Sequence, residues 1–339
     1  LATVTDIKGI DQQLDMWTGE VQSIFTVEGQ SVRVFTYAHQ QFDMIAVRIE
    51  SPLVAEKRLN VFVRFPYPNG QWKDVGIDYG ASDAHSSKLE KDFGHHNIIR
   101  HSLDTTSYLL AVNGSQPYNL KPSGKHEFIF ESTGGSPVLE LVFHFTKSLP
   151  NRLVQFDGAR INSRYNWKAF WESGGAIDFS GSTDKRAFEL ERRMVLSQYL
   201  TRVNCASKFP PQETGLTYNS WFGKPHLEMH WWHAVHFALW GRTELMEKSL
   251  DWYFTVADEA RAVAKPQGFE GLRWQKMVDH QGNEAPSSVG SFLIWQQPHF
   301  IYMTELVYRA KPGRTVLEKY KDLVFATADF MASFPSYDN

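Results

Sequence analysis

Residues 216 to 242 read LTYNSWFGKPHLEMHWWHAVHFALWGR and crowd four tryptophans and four histidines beside Lys224 and Glu228. His226, His230, His233 and His236 follow one another at spacings of four, three and three. The pair His226/His230 or the pair His233/His236 could therefore share a helix face, as zinc ligands do. No H-E-x-x-H is present, no third ligand stands at a characteristic spacing, and Lys224 would repel a cation. No metal and no other cofactor is expected. The stretch is then either a surface on which sugar rings stack or the packed wall of a helical core.

A second stretch, GFEGLRWQKMVDHQGNEAPSS (268 to 288), holds three glycines and Pro286 between predicted helices. It reads as a long structured loop, the kind that carries binding or catalytic groups on a rigid scaffold. Glu284 lies at its end, just before Pro286 and the Ser287-Ser288 helix start. A carboxyl in a partly apolar, aromatic pocket can hold its proton near neutral pH and donate it. A carboxylate favoured by a helix dipole would occupy the same place.

The elements around these residues change character along the chain. The 339 residues are 42% hydrophobic and 22% charged, the balance of a globular protein with a substantial core. Aromatics reach 14%, with 11 tryptophans, and their flat apolar faces suit sugar C–H faces. A net charge of −3 leaves no footprint for nucleic acid. Cys205 stands alone, which excludes an internal disulfide. No apolar run approaches the roughly 18 residues of a membrane span. The start LATVTDIKGIDQQ lacks a leader and begins without Met, which fits removal of an upstream signal peptide and a periplasmic or secreted protein.

VQSIFTVEGQSVRVFTYAHQQFDMIAVRIES alternates apolar and polar residues with turn chemistry at Glu28-Gly29 and around Gln40-Gln41, predicting antiparallel strands. NVFVRFPYP, SYLLAVNG, KHEFIFES and VLELVFHFT add further strands, and such a series indicates a sandwich. After about residue 165 the period becomes helical. STDKRAFELERRMVLSQYLTRVN predicts a helix in which Phe188, Val195, Leu196, Tyr199 and Leu200 share a face and Ser182, Thr183 or Asp184 caps the start. Further helices are predicted over about 228 to 240, 243 to 264, 287 to 310 and 314 to 333. The helix EMHWWHAVHFALW is apolar on nearly every face, which predicts burial all round. A buried helix followed by an amphipathic one fits the inner and outer layers of an (α/α) barrel.

DWYFTVADEARAVAKPQGFEGLRW followed by QKMVDHQGNE resembles the catalytic-barrel segment of the trehalase-type hydrolases and disaccharide phosphorylases of glycoside hydrolase family 65, in the six-hairpin glycosidase superfamily. That segment reads approximately A-R-x-x-A-x-x-x-G-[YF]-x-G-A-x-[FW]-P-W, then a loop ending G-x-E. Ala260, Arg261, Ala264, Gly268, Phe269, Gly271 and Trp274 fall in register, and Gly282-Asn283-Glu284 falls on G-x-E. The resemblance implies that Glu284 is the general acid. NWKAFWESGGAIDFSG resembles the opening of the family's barrel, GKPHLEMHWW stands where the family reads G-H-x-[FW]-W-D-T-E, and LIWQQPHFIYMTEL and LVFATADFMASF resemble the following helices. The implied architecture is an N-terminal antiparallel β-sandwich (1–165), a linker with a helix (166–207) and the N-terminal portion of an (α/α)6 barrel (208–339). The chain stops at FPSYDN after four or five helices of an expected dozen, as a C-terminally truncated enzyme would.

Departures from the pattern bear on the substrate. With His226 on the family's histidine, Glu228 falls on an aromatic, Met229 on a tryptophan and His230 on the aspartate that hydrogen-bonds glucose. Gln275-Lys276 replace the P-W pair, and Lys276 could favour a negatively charged sugar. The expected substrate-binding set is Trp221, His226, Glu228, His230, Trp274 and Lys276, with Glu284 catalytic. Inversion needs a second group roughly 6.5 to 9.5 Å from the acid. Glu213, Glu228 and Glu270 are the candidates within the chain, and later helices supply that group in the family. The expected function is inverting hydrolysis of an oligosaccharide or other glycoside with Glu284 as general acid and water as nucleophile. The alternatives are an inverting disaccharide phosphorylase and a non-catalytic carbohydrate-binding protein on the same scaffold. Neither nucleic acid nor membrane insertion is expected, and the oligomeric state is open.

Overall fold

The computed structural model describes residues 3–74, 76–93, 96–216 and 218–336. It divides into two compact units, Leu1–Asn69 with Ile77–Glu172 and Gly70–Gly76 with Ser173–Asn339.

The first unit is built on strands β1 (Lys8–Asp15), β2 (Glu20–Val27), β3 (Gln30–Ala38), β4 (Met44–Glu50), β5 (Asn60–Arg64), β6 (His85–Asp92), β7 (His96–Leu103), β8 (Thr106–Gly114), β9 (Tyr118–Gly124), β10 (Glu127–Ser132) and β11 (Val138–Thr146). An eight-stranded sheet runs β1-β2-β3-β4-β11-β8-β7-β6 and a three-stranded sheet runs β9-β10-β5, with every pairing antiparallel. The predicted turn at Glu28-Gly29 closes β2 onto β3 with both residues left-handed, at φ 51° and 74°. That conformation matches the strand twist and suits glycine at its second position. β10 buries Phe128, Phe130 and Ser132 in strict alternation. These phenylalanines share one core with Val32, Ile49, Ile99, Leu110 and Leu141 of the large sheet, so the two sheets form a sandwich. The short helix α1 (Pro52–Ala55) joins β4 to β5. The other face of the large sheet is covered by α2 (Phe156–Glu172), whose Phe156 and Ala159 pack on Tyr37, Met44, Ala46 and Val142.

The second unit is helical: α3 (Ala187–Cys205), α4 (Leu227–Leu239), α5 (Thr243–Thr255), α6 (Ala257–Ala264), α7 (Gln297–Ala310) and α8 (Arg314–Ser333). Its core is aromatic, with Tyr253 4.8 Å from Trp274 and 4.9 Å from Phe300 between ring centroids. Full burial of one such side chain contributes about 2–3 kcal/mol.

Four helix expectations need correction. Val256, at φ −121°, interrupts the segment expected over 243 to 264 and splits it into α5 and α6. Pro298 lies in the first turn of α7, where its missing N–H costs nothing, so that helix begins at Gln297 and not at 287. α4 is not buried all round, because Trp232 is 49% and Leu239 67% exposed. α3 buries no residue and leaves Phe188 77% exposed, and it starts after Arg186 with no side-chain cap.

Candidate functional site

Four backbone segments of the helical unit meet side by side ahead of α4. His226 N–H donates to Pro211 O (3.0 Å), Glu228 N–H to Lys276 O (3.1 Å), Val278 N–H to Pro225 O (3.1 Å) and Ala285 N–H to Met277 O (2.9 Å). The loop that ends in Glu284 is thereby laid against the loop that carries His226 and Glu228. Asp279 shapes the intervening turn by accepting from the N–H groups of Gln281 and Asn283, each at 2.9 Å. Glu284 pairs with Val278 at the edge of this array, and its side chain is exposed to solvent.

Residues Leu272 to Val278 are buried without interruption, although Arg273, Gln275 and Lys276 lie among them. Two glutamines at the start of α7 hold this run in place: Gln296 and Gln297 both donate to Trp274 O, at 3.0 and 2.7 Å. Gly271 enters it at φ 68°, so close to α8 that a Cβ would stand 2.0 Å from Ala326 O. No other residue fits there without moving the loop.

The buried charge of Lys276 is matched within the site. Its Nζ lies 3.9 Å from the Trp221 ring centroid and 3.5 Å from Glu228 Oε2. An ammonium over an indole is worth roughly 2 kcal/mol when desolvated. Lys276 therefore offers a negatively charged sugar no free charge. His226 Nε2 stands 3.3 Å from the same Glu228 oxygen, and since a carboxylate only accepts, the ring nitrogen is the donor. Burial pushes His226 down to about 4 against the pull of Glu228, so the ring is neutral at pH 7. Burial, and then the charge of Glu228, raise the Glu213 carboxyl above its ordinary range. Glu213 Oε2, His226 Nδ1 and both polar atoms of Gln275 are buried without a hydrogen-bond partner. Orphans of this kind are uncommon in a packed interior.

Of the expected site residues, Trp221, His226, Glu228 and Lys276 come together, and the backbone array ties the Glu284 segment to them. His230 and Trp274 do not join them. His230 is fully buried, with Nε2 2.8 Å from Ser249 Oγ and Nδ1 2.9 Å from Tyr253 Oη. Ser249 donates its own proton to Met246 O, so His230 Nε2–H donates to Ser249 and Nδ1 accepts from Tyr253. Trp274 is 2% exposed and gives its indole N–H to Thr327 Oγ1 at 2.9 Å. Both side chains make their polar contacts within the core. Glu270 stands apart beside α8, where its N–H donates to Ser333 Oγ. The helix histidines do not act together either: His233 gives its Nε2–H to Glu213 O (2.9 Å), and His236 is exposed.

One contributor went unread in the sequence. Trp72, from the segment Gly70–Gly76, meets Trp221 edge to face at 4.8 Å, and its carbonyl accepts from Phe222 N–H. Trp221 and Phe222 both take positive φ, 49° and 59°. Such backbone is costly for bulky residues and is found where the surroundings enforce it, often at functional sites.

No family model matches the chain, and no curated protein matches it. Solved structures do. A human-microbiome protein provisionally described as a kojibiose phosphorylase superposes with a TM-score of 0.70 at 11% identity, over 98% of this chain and 47% of its own. A bacterial glucoamylase in complex with acarbose superposes with a TM-score of 0.52 at 12% identity, over 98% of this chain and 50% of its own. The chain spans about half the length of these structures. The likeness establishes the fold, an N-terminal antiparallel β-sandwich followed by helices of an (α/α)6 barrel.

Proposed function

We propose that the chain carries the general acid and part of the sugar subsite of an inverting glycoside hydrolase of the family 65 type, acting on an oligosaccharide. Glu284 protonates the departing glycosidic oxygen, and water attacks the anomeric carbon from the opposite face. Trp221, half-buried with Trp72 beside it, offers an aromatic ring on which a sugar can stack. The observation that carries this reading is the backbone array through Met277 and Val278, which links the exposed Glu284 carboxylate to the buried Lys276 and His226 and the half-buried Glu228. A periplasmic or secreted location would suit such an enzyme.

The runner-up is phosphorolysis, the activity provisionally given to one structural neighbour. The test is turnover of an oligosaccharide panel by the complete gene product, with and without inorganic phosphate, with the anomer of the first product read by proton NMR. Hydrolysis predicts phosphate-independent release of the inverted free sugar. Strict phosphate dependence selects the runner-up, and glycan binding without turnover under either condition selects a non-catalytic carbohydrate-binding protein.

A further inference from the structure

The β-sandwich holds a second polar cluster that the sugar chemistry does not use. His85 opens β6, His101 lies on β7 opposite Ser87, and His126 occupies the turn between β9 and β10 at φ 62°. One ring nitrogen from each lies within 4.8 Å of the other two. The His85 and His126 rings stack with centroids 3.7 Å apart, and His101 meets His85 edge-on at 5.1 Å.

Packing leaves one nitrogen of this cluster unsatisfied. His85 Nδ1 is buried without a partner. Ser82 O lies 2.8 Å from His126 Nε2 and can only accept, so Nε2 carries the ring proton and Nδ1 presents its lone pair. A carbonyl that fixes the tautomer in this way is the usual support behind a metal-binding imidazole. The Ser87 hydroxyl lies 3.0 Å from His126 Nδ1, to which it can donate, and 2.8 Å from His101 Nδ1, from whose N–H it can accept, so it bridges the two rings.

Three imidazole ligands suit zinc and its neighbours in the transition series, not magnesium or calcium. We propose that His85, His101 and His126 bind one zinc-class divalent ion, with water completing the coordination. Zn–N bonds of about 2.1 Å set tetrahedral ligands roughly 3.4 Å apart, so binding draws the three rings together. A cavity of about 400 Å³ lined by His85, Ser87 and His126 opens the cluster to solvent, with Asp83 and Lys125 paired at its rim. The ion ties the large sheet, through β6 and β7, to the β9–β10 hairpin of the small one. It would be a structural staple distinct from the sugar site.

The test strips the chain with a chelator and titrates it with cobalt(II), a zinc substitute with a visible spectrum, followed by zinc. Expected are one equivalent bound with the absorption of a four-coordinate, nitrogen-rich site, displacement by zinc, and a higher melting temperature of the wild-type chain with zinc present. His85→Gln and His126→Gln should each weaken binding at least about 100-fold, while the exposed His236→Gln should not. Absence of stoichiometric binding, an oxygen-rich six-coordinate spectrum, or affinity that survives the paired His85→Gln/His126→Gln change would overturn the proposal. If those variants fail to fold, X-ray absorption at the zinc edge of the wild-type chain decides it: about three imidazoles support the site, and fewer than two refute it.

Discussion

Lys276 Nζ stands 3.9 Å above the indole of Trp221, inside a loop whose backbone is hydrogen-bonded to the start of α4. The lysine is 4% exposed and is neutralised by the half-buried Glu228, so the half-buried indole, the buried ammonium and the carboxylate form one unit.

Removing one member of that unit strands another. Lys276→Met leaves Glu228 largely buried beside a neutral histidine and should cost about 3 kcal/mol, the usual penalty for halving a buried ion pair. The double change Lys276→Met/Glu228→Gln should cost less than the two single changes added together, as read by a denaturant-unfolding cycle. Lys276 opposes the upward shift of Glu213, so the single change should raise the Glu213 carboxyl further, observable by carbon NMR.

Acid should destabilise the helical unit through its buried histidines. His226 and His230 ionise near 6.5 when unfolded but are held down to about 4 and about 3 when folded, chiefly by burial. Their contribution is intact above about pH 6.5 and falls as pH drops toward 4, because the unfolded chain takes up protons that the folded one refuses. His230→Gln should lessen the pH slope of unfolding free energy in that window by about 1.4 kcal/mol per pH unit, one proton's worth.

Trp221 and Trp274 should separate binding from packing. Trp221→Ala should weaken sugar affinity about tenfold and, by taking the indole from over Lys276, should also cost about 2 kcal/mol of stability. Trp274→Ala should cost about 3–5 kcal/mol, and the milder Trp274→Phe should lower the melting temperature with sugar affinity unchanged. Equal losses of affinity at the two positions would return Trp274 to the sugar site.

Gly271→Ala tests the placement of the loop. The added methyl meets Ala326 O in a left-handed backbone, so roughly 3 kcal/mol of stability should be lost. The shift should carry the Leu272 to Val278 run with it and broaden the Lys276 and Trp221 resonances.

The legible parts of the fold are those with a period. VLELVFHFT predicts a strand and is Val138–Thr146, and the helix expected over 314 to 333 is Arg314–Ser333. Lys8–Asp15 and His85–Asp92 escape notice because they are the two edges of the large sheet, where polar residues suffice and alternation fades. Tyr118–Gly124 hides behind Pro122. The G-x-E register singles out Glu284 in the sequence. The tie of its segment to His226 and Glu228 leaves no trace there, because backbone bridges between distant loops carry no periodic signal. His230 looked like a ligand because its partners Ser249 and Tyr253, 19 and 23 residues further on, become neighbours only through packing.

The role of Glu284 meets its most direct test in leaving-group dependence. In the complete gene product, Glu284→Gln should lower turnover of glycosides with poor leaving groups by about 10²-fold or more, and should spare activated aryl or fluoride glycosides that depart without a proton. Equal turnover of the poor-leaving-group substrates by wild type and variant would contradict the assignment of Glu284 as the proton donor.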